Sequence, residues 1–549
     1  MLGVIAHARP HTHNSAFVTS AGIIMALTRI ERAQAWILRA FMGVLFALFR
    51  LLAPRRSAGS AKLPPVTNPL LLMSAMQLSQ RIRRREVSSV DVVQAYIDRI
   101  QNVNPLLNAM VQDRFAAALL EAAQVDKLIQ EDNVSVVEDR LPLLGVPISI
   151  KEAFALQGMP HTTGLVSRRG VLSVGDAPPV ALLKRAGAIP LGVTNTSEIC
   201  MWYESHNRLY GVCRNPYDLE RTPGGSSGGE GSILGGGASV IGIGSDIGGS
   251  IRIPSFFSGV FGHKTTPGVV SNDCQYPPPS GCHQDYLSTG PMCRYAEDLL
   301  PMLRIMAGPN ADKLSLSKNV DLRKLRYFSI PHDGGSPVVC AVDKQLLQVQ
   351  RRVVERLEAD LGVKVQEVHL PGLKYSFQIW NTFMGLPDKD GKPPTPFSVL
   401  MGQPGRPVWP LWELAKWMIG RSQHTMPAIG LMLFETIRSK PSHFILQQKE
   451  MLQKELEELL GTDGILLYPS HSQPAPKHYH TLFAPFNFAY TGIFNILGMP
   501  VTQCPLGLSE EGLPLGVQVV TGKLQDRQSL AMALYLEKSF GGWRDPGAA

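Results

Sequence analysis

Gly224-Gly225-Ser226-Ser227-Gly228-Gly229-Glu230-Gly231, and after it Gly244-Ser245-Asp246-Ile247-Gly248-Gly249-Ser250-Ile251-Arg252-Ile253-Pro254, form the stretch on which the reading of this chain turns. Each glycine run offers a serine on backbone that can adopt positive φ and leave N–H groups turned outward, which is how a chain cradles a negative oxygen. Glycine and serine also dominate flexible linkers. The apolar residues 238–243, however, lie between the runs, read as a short buried strand, and have no place in a solvated tether. The serines therefore sit on folded structure.

Working outward, residues 143–150 are continuously strand-like and deliver Lys151 at their end. Such a lysine either caps a strand at the surface or is stripped of water, with its pKa lowered enough to act as a base. Spacing alone leaves both open. Residues 179–186 read as helix, Gly187 as its stop and 188–193 as strand, a βαβ rhythm that implies a largely parallel sheet. Upstream, Ser88 begins a helix with Val90, Val93, Ile97 and Ile100 on one face, ended by Asn104-Pro105, and 114–130 is helical. Downstream come helices at 295–306, 344–361, 491–497 and 526–540, a strand at 464–468, and a hairpin-like pair at 501–506 and 515–520. The predicted fold is α/β, a large, mixed, mostly parallel sheet flanked by helices.

The 549 residues, 44% hydrophobic and 18% charged, have the composition of an ordinary globular protein. The net charge of +8 is partly local, in Arg50, Arg55, Arg56 and Lys62 and again in Arg81, Arg83, Arg84 and Arg85. Without stacking aromatics beside them, these clusters suit an anionic membrane surface and not nucleic acid. Seven cysteines without CxxC spacing argue against a disulfide framework and against zinc, and place the catalytic part in a reducing compartment. No phosphate-loop, HExxH or EF-hand pattern is present, so neither metal nor cofactor is expected.

Residues 1–24, which include His7, His11 and His13, read as a disordered leader. Residues 25–54 read as a membrane anchor, because 36–53 is apolar except for Arg39 and Arg50, which can snorkel to the boundary. A signal peptide would send unpaired cysteines outside, and a buried helix would not carry an arginine at each end. Whether 36–53 spans the bilayer or lies in it stays open. Residues 55–68 then form a linker, and 69–545 the catalytic domain. Within that domain 407–437 stands apart, with Trp409, Trp412 and Trp417. Leu411, Leu414, Ala415 and Met418 make an apolar arc opposite Glu413 and Lys416, as on a helix at a water–lipid boundary or in an internal helix pair.

Two chemical readings of the serines compete. Gly225-Ser226-Ser227-Gly228-Gly229 fits G-x-S-x-G, which would make Ser227 the nucleophile of a hydrolase elbow, but no strand precedes it. The alternative is a serine activated through a second serine and a neutral lysine, with backbone N–H donors beside the nucleophile. Lys151, Ser226 and Ser250 supply such a set.

The two motifs, with Lys151 upstream, resemble the amidase signature family over roughly residues 69–540. The anchor, Cys200-Met201-Trp202-Tyr203-Glu204 and Phe483-Ala484-Pro485-Phe486-Asn487-Phe488 look most like its fatty-acid amide hydrolases. The resemblance implies that Ser250 is the nucleophile, with Ser226, following a cis peptide bond, bridging it to Lys151. It implies an oxyanion hole from the N–H groups of Ile247, Gly248, Gly249 and Ser250. Asp246 and Arg252 would support that loop, Ser227 would be a hydrogen-bonding neighbour, and Cys200 would line the substrate pocket. The implied activity is hydrolysis of long-chain fatty acid amides, primary amides such as oleamide or N-acyl ethanolamines, through an acyl-enzyme. It would take place at an intracellular membrane or lipid-droplet surface, with a homodimer among the assemblies admitted. Two other readings stand beside it: a glutamine-dependent transamidation subunit of the same family, and a catalytically silent lipid-binding protein on this fold.

Overall fold

The computed structural model describes residues 62–131, 141–436 and 441–548. The chain divides into two units, Met1–Ser57 and Ala58–Ala549. The leader, the anchor at 25–54 and the first part of the linker lie outside the described residues. Among those described, no helix is long and apolar enough to cross a membrane.

The described strands are β1 (Met110–Asp113), β2 (Pro147–Lys151), β3 (Ile189–Thr194), β4 (His206–Asn207), β5 (Gly211–Val212), β6 (Ile241–Asp246) and β7 (Phe261–Lys264). They continue with β8 (Ser288–Cys293), β9 (Arg326–Ser329), β10 (Val365–Glu367), β11 (Gly464–Tyr468), β12 (Val501–Leu508) and β13 (Pro514–Thr521). All but β4 and β5, which form a small ribbon, join one 11-stranded sheet in the order β1-β3-β2-β6-β8-β7-β12-β13-β11-β9-β10. The predicted large mixed sheet flanked by helices is present, but "mostly parallel" is corrected. The pairs β2–β3, β2–β6, β9–β11 and β9–β10 are parallel, and the other six are antiparallel. Parallel pairing needs a crossover, and β2–β3 and β9–β10 have one in the helices Pro178–Arg185 and Lys344–Leu361. The middle of the sheet returns without one, most plainly in the β12–β13 hairpin. The βαβ rhythm of the flanks does not continue into the centre, where pairing is antiparallel.

Two boundaries also differ for local reasons. β2 begins only at Pro147, because Gly145 at φ 73° turns the chain after Leu144, and Val146 donates back to the Leu143 carbonyl at 3.0 Å. The helix Ser89–Leu107, capped by Ser88 accepting from Asp91 N–H at 2.9 Å, runs through Pro105. It stops at Asn108, φ 50°, where the Asn104 side chain accepts from the N–H groups of Ala109 and Met110. Its Val93, Ile97 and Ile100 are buried as the periodicity predicts, each contributing roughly 1.5–3 kcal/mol by burial.

Candidate active site

β2 and β6 lie side by side and parallel, so their C-terminal ends deliver Lys151 and Ser245-Asp246 to one edge. The helices Gly228–Gly235 and Arg252–Phe257 begin just after the two serine loops and pack on each other. Of the glycines in the two runs, only Gly224 and Gly249 have positive φ. The others, Gly248 excepted, serve close approach: a Cβ on Gly231 would lie 2.7 Å from the Pro254 carbonyl oxygen, and one on Gly225 would lie 2.5 Å from that of Trp202. The peptide bond Gly225–Ser226 is cis.

Lys151 is fully buried. Its Nζ donates to Ser226 Oγ at 2.8 Å and to Ser245 Oγ at 3.1 Å. Burial pushes its pKa below the ordinary lysine range, opposed by the nearby Cys200, Asp246 and Glu230. Glu230, also buried, is itself pushed up to about 7 by burial, although Ser149 and Thr194 hydroxyls donate to it at 2.7 Å each. Ser245 was not singled out from the sequence. The signal was available in the parallel strands: it neighbours Asp246 at the end of the strand paired with β2.

The loop after β6 is wound around the Asp246 carboxylate, which accepts from the N–H groups of Gly249 and Ile251 at 2.8 and 3.1 Å. It also accepts from Arg252 Nε and Nη2 at 3.0 and 2.9 Å. Burial alone would raise the Asp246 pKa, but the Arg252 charge and these hydrogen bonds hold it well below the usual carboxylate range. Arg252 also donates to the Thr491 carbonyl and to the side chains of Gln518 and Asn495. The Gly249 N–H is thereby committed inward. Among the described residues, the N–H groups of Ile247, Gly248 and Ser250 have no acceptor, and neither has the Ser250 hydroxyl.

Ser227 donates its backbone N–H to the Ser250 carbonyl at 3.2 Å, tying the two serine loops together. Its hydroxyl is buried, has no partner among the described residues and lines neither cavity below, which removes the elbow reading. Ser226 and Ser250 hydroxyls are not hydrogen-bonded to each other. They meet at a second place: both line a small cavity of about 50 Å³, with Ser245, Gln275 and Tyr276. On the other side of Ser250 opens a larger one of about 300 Å³, walled by Phe377, Trp380, Met384, Phe434, Phe486 and Phe488, with Gly248 at its floor. Cys200, at φ 60° after Ile199 at φ 55°, lines both, its Sγ 3.3 Å from Thr196 Oγ1.

A hydroxyl–histidine–carboxylate line exists elsewhere. His263 meets Thr502 Oγ1 at 2.8 Å and Asp526 Oδ1 at 3.1 Å, but all three are fully buried and border neither cavity. Among the described residues no group of His, Cys, Asp and Glu could hold a metal ion.

The sequence matches the amidase family over residues 91–530. The chain belongs to the amidase family. This amidase is 70% identical to fatty-acid amide hydrolase 2-A of Danio rerio, across 95% of this chain and 99% of that protein. It is 52% identical to fatty-acid amide hydrolase 2 of Homo sapiens, across 95% of this chain and 100% of that protein. Among solved structures, a fatty acid amide hydrolase shares the amidase signature fold, with a TM-score of 0.70 at 22% identity, covering 91% of this chain and 89% of that one.

Proposed function

We propose that this amidase hydrolyses long-chain fatty acid amides, such as oleamide or N-acyl ethanolamines, to fatty acid and amine. One observation carries the reading. A buried lysine with a lowered pKa sits on Ser226, while Ser250, three N–H groups unpaired among the described residues and an apolar cavity of about 300 Å³ converge beside it. Names of the similar proteins supply the substrate class; the cavity supplies room for an apolar chain.

In this reading Ser250 Oγ attacks the amide carbonyl carbon. Its proton passes to Ser226, whose own proton passes to neutral Lys151. Both hydroxyls border the small cavity, and in this reading the proton is handed over there. Negative charge on the carbonyl oxygen is met by the N–H groups of Ile247, Gly248 and Ser250, without Gly249, whose N–H Asp246 occupies. The carbon–nitrogen bond then breaks as the proton returns through Ser226 to the leaving amine, beside the small cavity. Water completes the cycle by attacking the ester, giving back the Ser250 hydroxyl.

Delivery from a lipid surface is part of the proposal. On and just before the helix Pro410–Met418 the charged and apolar sides are partly exchanged, although Leu414 still packs on the core. Glu413 is 7% exposed and bonded to Ser422 and Lys416, while Trp409 and Leu411 are 69% and 61% exposed. Trp412, Met418 and Ile419 add to the exposed apolar face. The helix behind it, Met426–Thr436, lines the large cavity with Leu431 and Phe434. A lipid surface, at an intracellular membrane or droplet, is the medium that such a face suits. Among the described residues none of the seven cysteines is in a disulfide, in keeping with a reducing compartment.

Ser250→Ala is expected to abolish both oleamide turnover and labelling by an acyl-fluorophosphonate probe. A variant that keeps both would reject Ser250 as the nucleophile and, with it, this reading.

A further inference from the structure

The direction of the unpaired N–H groups is set from behind. A trans peptide points its N–H opposite to the preceding carbonyl, so whatever holds the carbonyl aims the N–H. Every carbonyl from Asp246 to Ser250 is held. Asn495 Nδ2 donates to that of Asp246 at 2.9 Å, Trp380 Nε1 to Ile247 at 2.9 Å, and Thr491 Oγ1 to Gly248 at 2.7 Å. The backbone N–H groups of Ile253 and Ser227 hold those of Gly249 and Ser250. The three N–H groups left unpaired follow the carbonyls of Asp246, Ile247 and Gly249.

Trp380 differs from the other two side-chain clamps. It alone of the three lines the large cavity; Thr491 and Asn495 do not. Its single N–H has a single acceptor, whereas the Thr491 hydroxyl is divided between the carbonyls of Gly248 and Phe488, each at 2.7 Å. The indole stands edge-on to Phe488, ring centroids 4.7 Å apart. It also rests on Gly492, where a Cβ would come within 3.0 Å of its Cδ1. One ring is thus wall to the apolar chain and anchor to the peptide that presents the Gly248 N–H.

Resting on the proposed amide hydrolysis, we propose that Trp380 is a positioning residue that couples filling of the apolar cavity to the aim of the Gly248 N–H. A chain long enough to pack on the indole fixes the ring and therefore the Ile247–Gly248 peptide. A short chain leaves the ring free to tilt and the N–H off target. Acyl length then enters kcat and not only KM, because binding of a non-reacting part of the substrate is realised in the transition state.

The test is kcat and KM for a series of primary amides of decreasing acyl length, on the full chain and on Trp380→Phe, which keeps most of the ring and removes the N–H. Losing a whole oxyanion donor lowers kcat by about 100- to 1,000-fold, and losing the aim of one should lower it by roughly tenfold. The unmodified enzyme should lose about tenfold in kcat as the chain becomes too short to reach Trp380. Trp380→Phe should show that lower kcat at every length, with long-chain KM and Tm nearly unchanged. A length profile of kcat in Trp380→Phe that parallels the unmodified enzyme, or a loss confined to KM, overturns the coupling while leaving amide hydrolysis standing. Absence of turnover in the unmodified enzyme at any length overturns both. Should Trp380→Phe fail to fold, Gly492→Ala keeps the indole but displaces it, and the kcat profile should flatten by about threefold; an unchanged profile there overturns the coupling as well.

Discussion

Among the described residues two lysines are wholly buried at the last position of a strand, Lys151 on β2 and Lys264 on β7, and burial lowers the pKa of both. Lys264 is brought down to about 7 by burial and by the Arg252 charge, against the pull of Asp246 and Asp526. By titration alone it is as good a candidate base as Lys151. Its Nζ, however, donates to the Thr265 carbonyl at 3.1 Å and to Ser288 Oγ at 3.4 Å, and neither Thr265 nor Ser288 borders either of the two cavities beside Ser250. The Lys151 partners, Ser226 and Ser245, both do. The difference teaches that desolvation makes a neutral amine anywhere in a core, and only a hydroxyl that opens onto space makes that amine useful.

The comparison breaks most sharply on substitution. Lys151→Ala should slow acylation by about 1,000-fold or more, read as single-turnover release of amine, with Tm little changed, since a base and its nucleophile act as a unit. Lys264→Met should leave kcat within about threefold. An acylation loss in Lys264→Met comparable to that of Lys151→Ala would erase the distinction.

Asp246 acts on both lysines, so Asp246→Asn sharpens it. Removing that charge leaves Arg252 buried without its counter-ion, and a loss of about 3–5 kcal/mol in denaturant unfolding is expected. Because Asp246 raises both amine pKa values, the variant should also shift the acid limb of activity to lower pH. On the proposed mechanism that limb arises because kcat/KM grows with pH as Lys151 loses its proton, below the ordinary lysine value.

A smaller effect separates the two by stability. Between about 7 and the free-lysine value of about 10.5, folding expels the proton that unfolded Lys264 would hold. The unfolded state binds more protons there, so Lys264 makes stability rise with pH across that window, and its penalty is fully present below it. Lys264→Met should remove this rise, as seen in urea midpoints at pH 7 and 10.

The weakest effect concerns access. Trp412→Ser should reduce partition of the enzyme onto phospholipid vesicles several-fold, yet leave turnover of a soluble short-chain amide unchanged. Equal vesicle binding would detach the exposed helix from the route to Ser250.

Much of the site was legible in the sequence because glycine runs, unlike aliphatic cores, have few interchangeable spellings. The strand end and the two glycine runs offered Lys151, Ser226 and Ser250 as candidates, and the family resemblance, not their spacing, gave them their roles. Cys200 was placed at the cavity by resemblance alone, and Ser245 was passed over because its partner is Lys151 across two strands. Helix ends with local caps, such as Ser88, were readable. Pro105 misled because its missing N–H removes one bond and its ring tolerates one more turn before Asn108.

The sequence by itself determined that serines would sit on glycine-rich backbone within folded structure, and that an apolar strand would end on a lysine. Those are properties of short segments, set by backbone freedom and by local hydrophobicity. Only the tertiary structure decided which buried amine faces a cavity, which N–H of the loop Asp246 takes for itself, and that Glu413 turns inward while the tryptophans turn out. Each of these is settled by partners distant in the chain, and no local pattern records where a partner will come from.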